Sequence, residues 1–343
     1  MGGRYTPPAP YAGHMIYVGC NTAASGGNGT GITALREGPD GELTMVGELA
    51  MTSPSWLTRH PTAPVLYATN ESADGAVTTV ALDGFTVLDT VASGGADPCH
   101  LTVTADERFL LCANYSSGSL AVFGLAEDGM ITGCTDLVTH EGSGPVADRQ
   151  ETAHVHMAVP HDAPQGTIVS AVDLGTDEIR TYLLSDTGSL EQLSVSAMPP
   201  GTGPRQLVRR PGTDLAYVPG ELAGTLVTVR EDPTGTFTPI DVRPATREPY
   251  EAGPNHVAHV VVTGDRLYVS NRGPDRITEF DVSGETPRPV AEHPCGAFPR
   301  HFTLLGGTCH TAAQHDDAIV SFSLADGEHR RFPTGTPTCV IAG

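Results

Sequence analysis

The chain is patterned in short apolar runs rather than in long amphipathic stretches. Seven of these runs end in a small or polar residue, as in IYVGC, LYATN, LLCAN and LYVSN. The final residues of the seven runs are Cys20, Asn70, Asn114, Asp173, Gly220, Asn271 and Gln314. Successive copies lie 43 to 59 residues apart. A period in this range indicates a repeat architecture in which each unit is one small supersecondary element.

Each run is flanked by further strand-like segments. A strand upstream is usually opened by proline, as in DPCHLTV and FPRHFTLL, and an alternating strand follows downstream, as in SLAVFGL and AIVSFSL. A turn then leads into a fourth, weaker strand. Four segments with period-two alternation, separated by turn residues, are typical of a β-propeller blade. No apolar stripe with helical spacing is sustained over ten or more residues, so a helical repeat is excluded.

The two ends of the chain complete the count of strands. The first unit lacks a proline-opened strand, and the last residues, GTPTCVIAG, supply one after the seventh unit. We therefore predict an all-β, seven-bladed β-propeller with four-stranded antiparallel blades, closed by the C-terminal strand, with residues 1–343 forming a single domain. Such closure removes the unpaired sheet edges that an open array would expose.

Charge excludes several classes of function. The formal net charge is −21, and all 19 basic residues are arginine because the chain contains no lysine. An acidic surface repels phosphate backbones and anionic membranes, so we expect neither nucleic acid nor membrane as a partner. The absence of lysine excludes Schiff-base chemistry and a P-loop. A small anionic substrate remains compatible, because a few arginines in one pocket can clamp a carboxylate or phosphate.

Cysteine usage and the N-terminus point to the cytoplasm. The seven cysteines have no C-x-x-C spacing and most lie in apolar runs, so we expect buried free thiols in a reducing compartment. The N-terminal MGGRYTPPAPYAGHM lacks the apolar segment of a signal peptide, and no apolar run approaches the roughly 18 residues of a membrane span.

Polar residues recur where the blades meet the central channel. The residues directly after the seven apolar runs are Asn21, Glu71, Tyr115, Leu174, Glu221, Arg272 and His315. The predicted inner strands add His100, His154, His156, Arg205, His256, His259, Arg300 and His301. The segment 140–182 is the densest in such groups. It contains an extended loop with His140, Glu141, Arg149 and Gln150, then the HVH strand and the DLGTD turn.

These motifs resemble a known family. HP…LYATNES, HEGSGP…RQ…AHVH, VDLGTD, GTGPRQL, YVPGEL, LYVSNRG and FPRHF are similar to those of the β-propeller 6-phosphogluconolactonases, relatives of carboxy-cis,cis-muconate cyclase. The resemblance spans all seven repeats and implies a metal-independent, cofactor-free enzyme acting on a sugar-acid lactone. It implies that His154 or His156 is the functional histidine, that Arg205 and Arg272 are the functional arginines, and that Glu221 is the functional glutamate.

The chemistry of lactone hydrolysis needs residues of these types. A histidine or glutamate can activate water, and an arginine can stabilise the oxyanion of the tetrahedral intermediate. We assign catalytic roles to His154, His156, Glu221 and Arg272. We assign substrate binding to Arg205, Arg300, His100, Glu71 and Gln150.

Structural roles are the alternative for several of these groups. Inner-strand histidines such as His100, His256, His259 and His301 are often hydrogen-bonded structural residues, and both aspartates of DLGTD are expected to bind backbone N–H groups. The extended loop can carry function or form a salt-bridged lid.

We predict a hydrolase of a sugar-acid lactone, with 6-phosphogluconolactone in the pentose phosphate pathway as the substrate. The alternatives are a muconate-type lactonizing cycloisomerase and a non-catalytic interaction propeller. The expected partner is a small anionic lactone, and the expected assembly is a monomer or weak homodimer.

Overall fold

Seven four-stranded antiparallel sheets are arranged as the blades of a β-propeller. The computed structural model describes residues 13–325 and 327–343. The predicted all-β, seven-bladed fold is confirmed, and helical structure in the described residues is limited to two 3-10 turns, Ala23–Ser25 and Gln314–Asp316. Most of the N-terminal stretch that argued against a signal peptide, residues 1–12, lies outside the described residues.

Blade 1 combines strands from both ends of the chain, and blades 2 and 3 are built from consecutive strands. Blade 1 consists of β1 (Met15–Cys20), β2 (Gly31–Glu37), β3 (Leu43–Ala50) and the C-terminal β28 (Pro337–Ala342). Blade 2 consists of β4 (Leu57–Arg59), β5 (Val65–Asn70), β6 (Ala76–Ala81) and β7 (Thr86–Ala92). Blade 3 consists of β8 (Pro98–Val103), β9 (Phe109–Asn114), β10 (Ser119–Leu125) and β11 (Ile131–Thr139).

The other four blades follow one another directly along the chain. Blade 4 consists of β12 (Val155–Ala163), β13 (Gly166–Asp173), β14 (Glu178–Leu184) and β15 (Leu190–Ala197). Blade 5 consists of β16 (Val208–Arg209), β17 (Leu215–Gly220), β18 (Thr225–Glu231) and β19 (Phe237–Pro244). Blade 6 consists of β20 (His256–Thr263), β21 (Arg266–Arg272), β22 (Arg276–Asp281) and β23 (Arg288–Pro294). Blade 7 consists of β24 (Pro299–Leu305), β25 (Thr308–Ala313), β26 (Ala318–Ser323) and β27 (His329–Pro333).

The ring closes through blade 1, as the sequence predicts. Strand β28 pairs antiparallel with β1, with Ile16 opposite Ala342 and Gly19 opposite Cys339. The innermost strand of this blade therefore comes from the C-terminus and its other three strands from the N-terminal part of the chain. Pairing the two ends of the chain leaves no open sheet edge between the first and last blades.

Apolar side chains fill the spaces between neighbouring blades. Leu111 and Val122 of blade 3 pack with Val155 and Val169 of blade 4, and all four are completely buried. Equivalent clusters join each of the remaining pairs of neighbouring blades. The second and third strands of a blade are covered on both faces, which explains why their apolar runs are nearly continuous. Outer strands such as β7 are largely exposed and alternate more weakly.

Five blades share an unusual junction at the start of the inner strand. The residue before the opening proline has a positive φ in each of them, and these residues are Ser53, Asp97, Gly203, Phe298 and Thr336. A left-handed conformation turns the chain sharply into the channel, and it is unfavourable for residues other than glycine.

The cysteines agree with the expectation of buried free thiols, with one exception. All seven cysteines are free, and six are buried while Cys134 is exposed. Among the described residues, no helix is long and apolar enough to cross a bilayer.

Candidate active site

A polar cavity of about 370 Å³ lies at one rim of the channel. Six of the seven blades contribute to it, and no described residue of blade 1 lines it. Its lining residues are Glu71, Cys99, Tyr115, Arg149, His156, Arg205, Glu221, His256, Arg272, Phe298 and Arg300. The cavity is large enough for a single sugar-sized ligand.

The ends of the second strands place four of these residues. Glu71, Tyr115 and Glu221 directly follow β5, β9 and β17, and Arg272 is the last residue of β21. The repeat therefore brings together positions that are about 50 residues apart in the sequence. Of the equivalent residues in the other blades, Asn21, Leu174 and His315 do not line the cavity.

Irregularities in the inner strands place three more of the residues that line the cavity. The register of the β8–β9, β12–β13 and β24–β25 pairs shifts by one residue at Cys99, His156 and Arg300. A bulge inserts an extra residue that is left out of the ladder and can point in a new direction. In these blades the extra residue is the one that reaches the cavity.

Glu221 is the centre of a buried ion-pair cluster. Its Oε1 lies 2.9 Å from Arg149 Nη2. Its Oε2 lies 3.0 Å from Arg205 Nε and 2.8 Å from Arg272 Nη2. Burial opposes ionisation, but the arginines outweigh it and hold the pKa of Glu221 well below its usual range. A carboxylate held this firmly in its charged form is a poor proton acceptor, so its chemistry favours organising the arginines over activating water.

Arg205 and Arg272 are fixed by additional contacts. Arg205 Nη1 donates to the carbonyl oxygen of Ala258 at 2.8 Å, and Arg272 Nε donates to that of His256 at 2.9 Å. Burial, and then the charge of Arg272, lowers the pKa of Arg205. Both guanidinium groups still carry a positive charge at neutral pH.

Arg300 is the least engaged of the four arginines. Its Nη2 lies 3.6 Å from Glu71 Oε2, and no hydrogen bond joins it to another described residue. The Glu71 oxygen is buried and has no hydrogen-bond partner in the described part of the chain. One donor group and one acceptor oxygen therefore remain available for a ligand on this side of the cavity.

Two histidines line the cavity as neutral bases. Burial, followed by the charge of Arg205, lowers the pKa of His156 well below its usual value. Burial and Arg272 also lower the pKa of His256. The Nδ1 atoms of both rings are buried without a hydrogen-bond partner among the described residues. Either ring can accept a proton from a bound molecule.

His154 does not reach the cavity, although the sequence left it equivalent to His156. It precedes β12, and its ring stacks on Tyr115 with centroids 4.4 Å apart. Its Nδ1 lies 3.1 Å from the carbonyl oxygen of Tyr115, and its Nε2 lies 3.4 Å from Glu151. Residues two apart on a regular strand share a face, but the bulge at His156 breaks this alternation and separates the two rings.

His100 also does not line the cavity, and its ring belongs to a cluster of aromatic rings from several blades. Its ring is 4.5 Å from Trp56, which is 5.0 Å from His301. His301 in turn stacks on His259 at 3.8 Å. Burial lowers the pKa values of His100 and His301 to about 3. These rings are neutral packing groups, so the structure favours the structural alternative for them.

Gln150 supports the cavity from behind. It is fully buried, its Nε2 donates to the carbonyl oxygen of Leu174 at 2.8 Å, and its Oε1 accepts from the N–H of Val146 at 3.1 Å. It anchors the extended loop that carries Arg149, while Arg149 itself reaches Glu221. The loop thus combines both roles considered from the sequence, because its salt bridge is part of the cavity wall.

A second buried network fixes the start of the same loop. His140 Nδ1 lies 2.7 Å from Asp173 Oδ2, and its Nε2 lies 2.9 Å from Tyr182 Oη. Asp173 Oδ1 accepts three backbone N–H groups, from His154, Gly175 and Thr176. Asp177 accepts the N–H groups of Gly201 and Gly203. The expectation that the DLGTD aspartates bind backbone groups is confirmed.

Several lining residues carry no role in the sequence-based assignment. These are Cys99, Tyr115, Arg149, His256 and Phe298. A signal for Cys99 existed in the repeat, because it follows its proline as Arg205 and Arg300 follow theirs. Phe298 precedes such a proline, and nothing in the sequence marks it as a cavity residue.

The chain belongs to the seven-bladed β-propeller lactonase family. The family model described as "Lactonase, 7-bladed beta-propeller" matches residues 15–341. The chain is 34% identical over 263 residues to the 6-phosphogluconolactonase of Bacillus subtilis (strain 168), and this alignment covers 74% of each protein. The resemblance drawn from the motifs is confirmed.

Solved structures share the same architecture. A protein from Lactobacillus plantarum is 28% identical, with a TM-score of 0.87 over 96% of this chain and 99% of that one. The periplasmic gluconolactonase of Pseudomonas aeruginosa is 24% identical, with a TM-score of 0.86 over 96% of this chain and 98% of that one. At this level of identity the second likeness concerns the fold alone.

Proposed function

We propose that the protein hydrolyses the lactone of a phosphorylated sugar acid, 6-phosphogluconolactone. The main observation behind this proposal is the charge of the cavity, where four arginines face two carboxylates in a chain whose net charge is −21. Concentrating cations in one buried place is costly unless an anion binds there. The chemistry of the lining and the family relationship both favour an anionic lactone.

Arg300 is the proposed clamp for the phosphate. Of the four cavity arginines, it has the fewest contacts with the rest of the described chain, so its donors are available for bidentate binding. Glu71 Oε2 lies beside it without a hydrogen-bond partner among the described residues, and it accepts a hydrogen bond from a sugar hydroxyl.

His156 is the proposed general base. It removes a proton from water while the water oxygen attacks the lactone carbonyl carbon, and Arg272 stabilises the oxyanion that forms. The carbon–oxygen bond of the ring then breaks, and the imidazolium returns the proton to the leaving ring oxygen. The product is an open hydroxy acid, which ionises to a carboxylate and one proton.

Substrate binding strengthens this base. Burial is the main cause that lowers the pKa of His156; the positive charges of Arg205 and Arg300 lower it further, whereas Glu221 raises it. A bound phosphate offsets the arginine charge, so it raises the pKa of His156 in the complex. Glu221 organises the arginines and stabilises the imidazolium.

Substrate and location are linked in this proposal. Hydrolysis of 6-phosphogluconolactone is a step of the pentose phosphate pathway, and we place it in the cytoplasm. The seven free thiols support a reducing compartment.

The test follows the loss of 6-phosphogluconolactone, corrected for spontaneous hydrolysis. Wild-type protein accelerates the loss, and His156→Asn lowers kcat about 100-fold or more, as expected for a general base. Arg209→Met is the matched control, because Arg209 forms an ion pair with Glu231 at 2.6 Å and does not line the cavity. The proposal fails if the wild-type protein gives no acceleration, or if His256→Asn alone abolishes activity while His156→Asn is silent.

A further inference from the structure

Phe298 stands out among the residues that precede an inner-strand proline. Three of the other four have polar side chains that form hydrogen bonds with neighbouring loops. Ser53 Oγ lies 2.6 Å from Ser25 Oγ, Asp97 Oδ2 accepts from Ser116 Oγ at 2.5 Å, and Thr336 Oγ1 donates to Asn28 Oδ1 at 2.6 Å. The remaining one is a glycine, Gly203. These residue types adapt well to a left-handed backbone.

A phenylalanine at this place has no such compensation. Its φ is 57°, which is unfavourable for a bulky side chain. The ring has no polar atom with which to bond the turn. Its backbone N–H donates to Asp275 Oδ1 at 2.8 Å, a bond that any residue other than proline would make. The ring itself must account for the choice of residue.

The ring is placed against the cavity and its cations. The Cζ atom of Arg272 lies 5.1 Å from the ring centroid, within the range of a cation–π interaction. The ring also stacks on His315, with centroids 4.0 Å apart and an interplanar angle of 11°. Phe298 is also the one phenylalanine among the described residues that line the cavity.

Arg272 is thereby held by three different contacts. Its Nε donates to the carbonyl oxygen of His256, its Nη2 pairs with Glu221, and its cationic carbon lies over Phe298. The first two contacts fix two of its nitrogens. The third restricts the remaining freedom of the guanidinium group and shields it from water, which strengthens its field at the cavity.

We propose that Phe298 is a positioning residue, kept in a strained backbone because its ring holds the Arg272 guanidinium in place for the reacting carbonyl. This inference rests on the proposed function for the role of Arg272. It assigns to the cavity a residue that acts through another side chain rather than on the substrate directly. The strained backbone of Phe298 places the ring, and the ring in turn fixes the position of the Arg272 guanidinium.

Two substitutions separate the ring from the strain. Phe298→Gly removes the ring and relieves the left-handed backbone, whereas Phe298→Ala removes the ring and keeps the strain. We expect Phe298→Gly to melt at a higher temperature than Phe298→Ala. Both lower kcat about 10-fold with KM changed less than about 2-fold, as expected for an interaction of this strength made with the transition state. Phe298→Tyr keeps the ring and restores activity.

Two further variants complete the test. Thr336→Gly has the equivalent position in blade 1, which contributes no described residue to the cavity, and it leaves kcat unchanged. Combined with Arg272→Lys, Phe298→Gly produces little additional loss, because both changes affect the same guanidinium contact. The inference is overturned if kcat follows the melting temperature across the variants. It is also overturned if the loss of kcat in the double variant equals the product of the losses in Phe298→Gly and Arg272→Lys.

A binding measurement keeps this inference distinct from the proposed function. If the wild-type protein does not hydrolyse the lactone, the proposed function is refuted and the kinetic assay can no longer test Phe298. Calorimetric titration with 6-phosphogluconate then decides the role of Phe298. The carboxylate of 6-phosphogluconate is an anion that the neutral lactone carbonyl lacks, so its binding depends on Arg272 more than KM for the lactone does. An affinity for 6-phosphogluconate about 10-fold lower in both Phe298→Gly and Phe298→Ala, but not in Thr336→Gly, supports it. Unchanged affinity in the two Phe298 variants overturns it.

Discussion

Replacing Glu221 by glutamine tests the ion-pair cluster most severely. The side chain keeps its shape but loses the charge that compensates Arg149, Arg205 and Arg272. Glu221, Arg205 and Arg272 are at most 6% exposed, so the arginines cannot regain full hydration. We expect the variant to lose both stability and activity, since the arginines that bind and polarise the substrate lose their common anchor.

The size of the effect follows from burial. Removing one partner of a buried ion pair costs about 3–5 kcal/mol, because an uncompensated charge remains inside the protein. The Arg149 contact adds little to this figure, because that side chain is 36% exposed and its attraction is screened by solvent. The free energy of unfolding is therefore expected to fall by about 3–5 kcal/mol.

Stability and its dependence on pH are measured by urea denaturation. The folded-state pKa of Glu221 lies well below the unfolded value. Its contribution is therefore present above about pH 4.3 and is lost as the pH falls through the folded pKa. The difference between wild type and Glu221→Gln should consequently be constant at neutral pH and shrink under acid conditions.

A matched control comes from the same blade. Glu231 binds Arg209 through Nε at 2.6 Å and Nη2 at 2.7 Å, outside the cavity. Glu231→Gln is expected to cost stability but to leave catalytic efficiency unchanged. Inorganic phosphate should stabilise Glu221→Gln more than wild type, because it replaces the missing negative charge. Equal phosphate effects, or a Glu221→Gln variant as stable as wild type, would refute the cluster as described.

Three further outcomes are expected. Burial lowers the pKa values of His100 and His301 to about 3 and that of His310 to about 4. Below about pH 6.5 these rings therefore take up protons in the unfolded chain but not in the folded one, and near pH 5 the free energy of unfolding is expected to fall by about 4 kcal/mol for each unit by which the pH is lowered. Urea titrations measure this slope, and a flat profile between pH 6 and 4.5 contradicts it. Gln150→Ala leaves the buried carbonyl of Leu174 and the partly buried N–H of Val146 without their partner, which costs about 1–3 kcal/mol and raises KM through the displaced arginine loop. An unchanged KM argues against the anchor. In the native protein one thiol, Cys134, reacts rapidly with a thiol reagent, whereas seven react after denaturation; rapid reaction of several thiols in the native state contradicts the burial.

The repeat pattern was sufficient to predict the fold. Apolar runs at regular spacing correspond to second strands such as β5 and β9, and GTPTCVIAG contains the closing strand β28. Both signals are local, because strand alternation and turn residues act over a few residues. The ring then follows because blades cannot bury their faces alone.

The site was predictable only in part, and the reason is local geometry. The equivalent positions after the second strands correctly indicated Glu71, Glu221 and Arg272 as neighbours of the channel. His154 and His156 could not be separated, because a one-residue bulge decides which ring enters the cavity and the sequence does not mark it.

Contacts between distant blades were beyond the sequence altogether. Arg149 and Glu221 are 72 residues apart, yet their side chains meet at 2.9 Å. The pairing depends on how Gln150 folds the extended loop back over the channel. Phe298 and Arg272 belong to neighbouring blades, but their contact depends on the left-handed backbone before Pro299, which the sequence does not mark.

The most direct test of the central claim compares two lactones that differ only in the phosphate. Catalytic efficiency towards the phosphorylated lactone is compared with that towards the unphosphorylated gluconolactone, for wild type and for Arg300→Met. The account predicts that wild type prefers the phosphorylated lactone and that Arg300→Met lowers this preference about 10- to 100-fold, the value of one charge-assisted hydrogen-bonding group. Equal rates for the two lactones in wild type, or a preference that survives Arg300→Met, would contradict it.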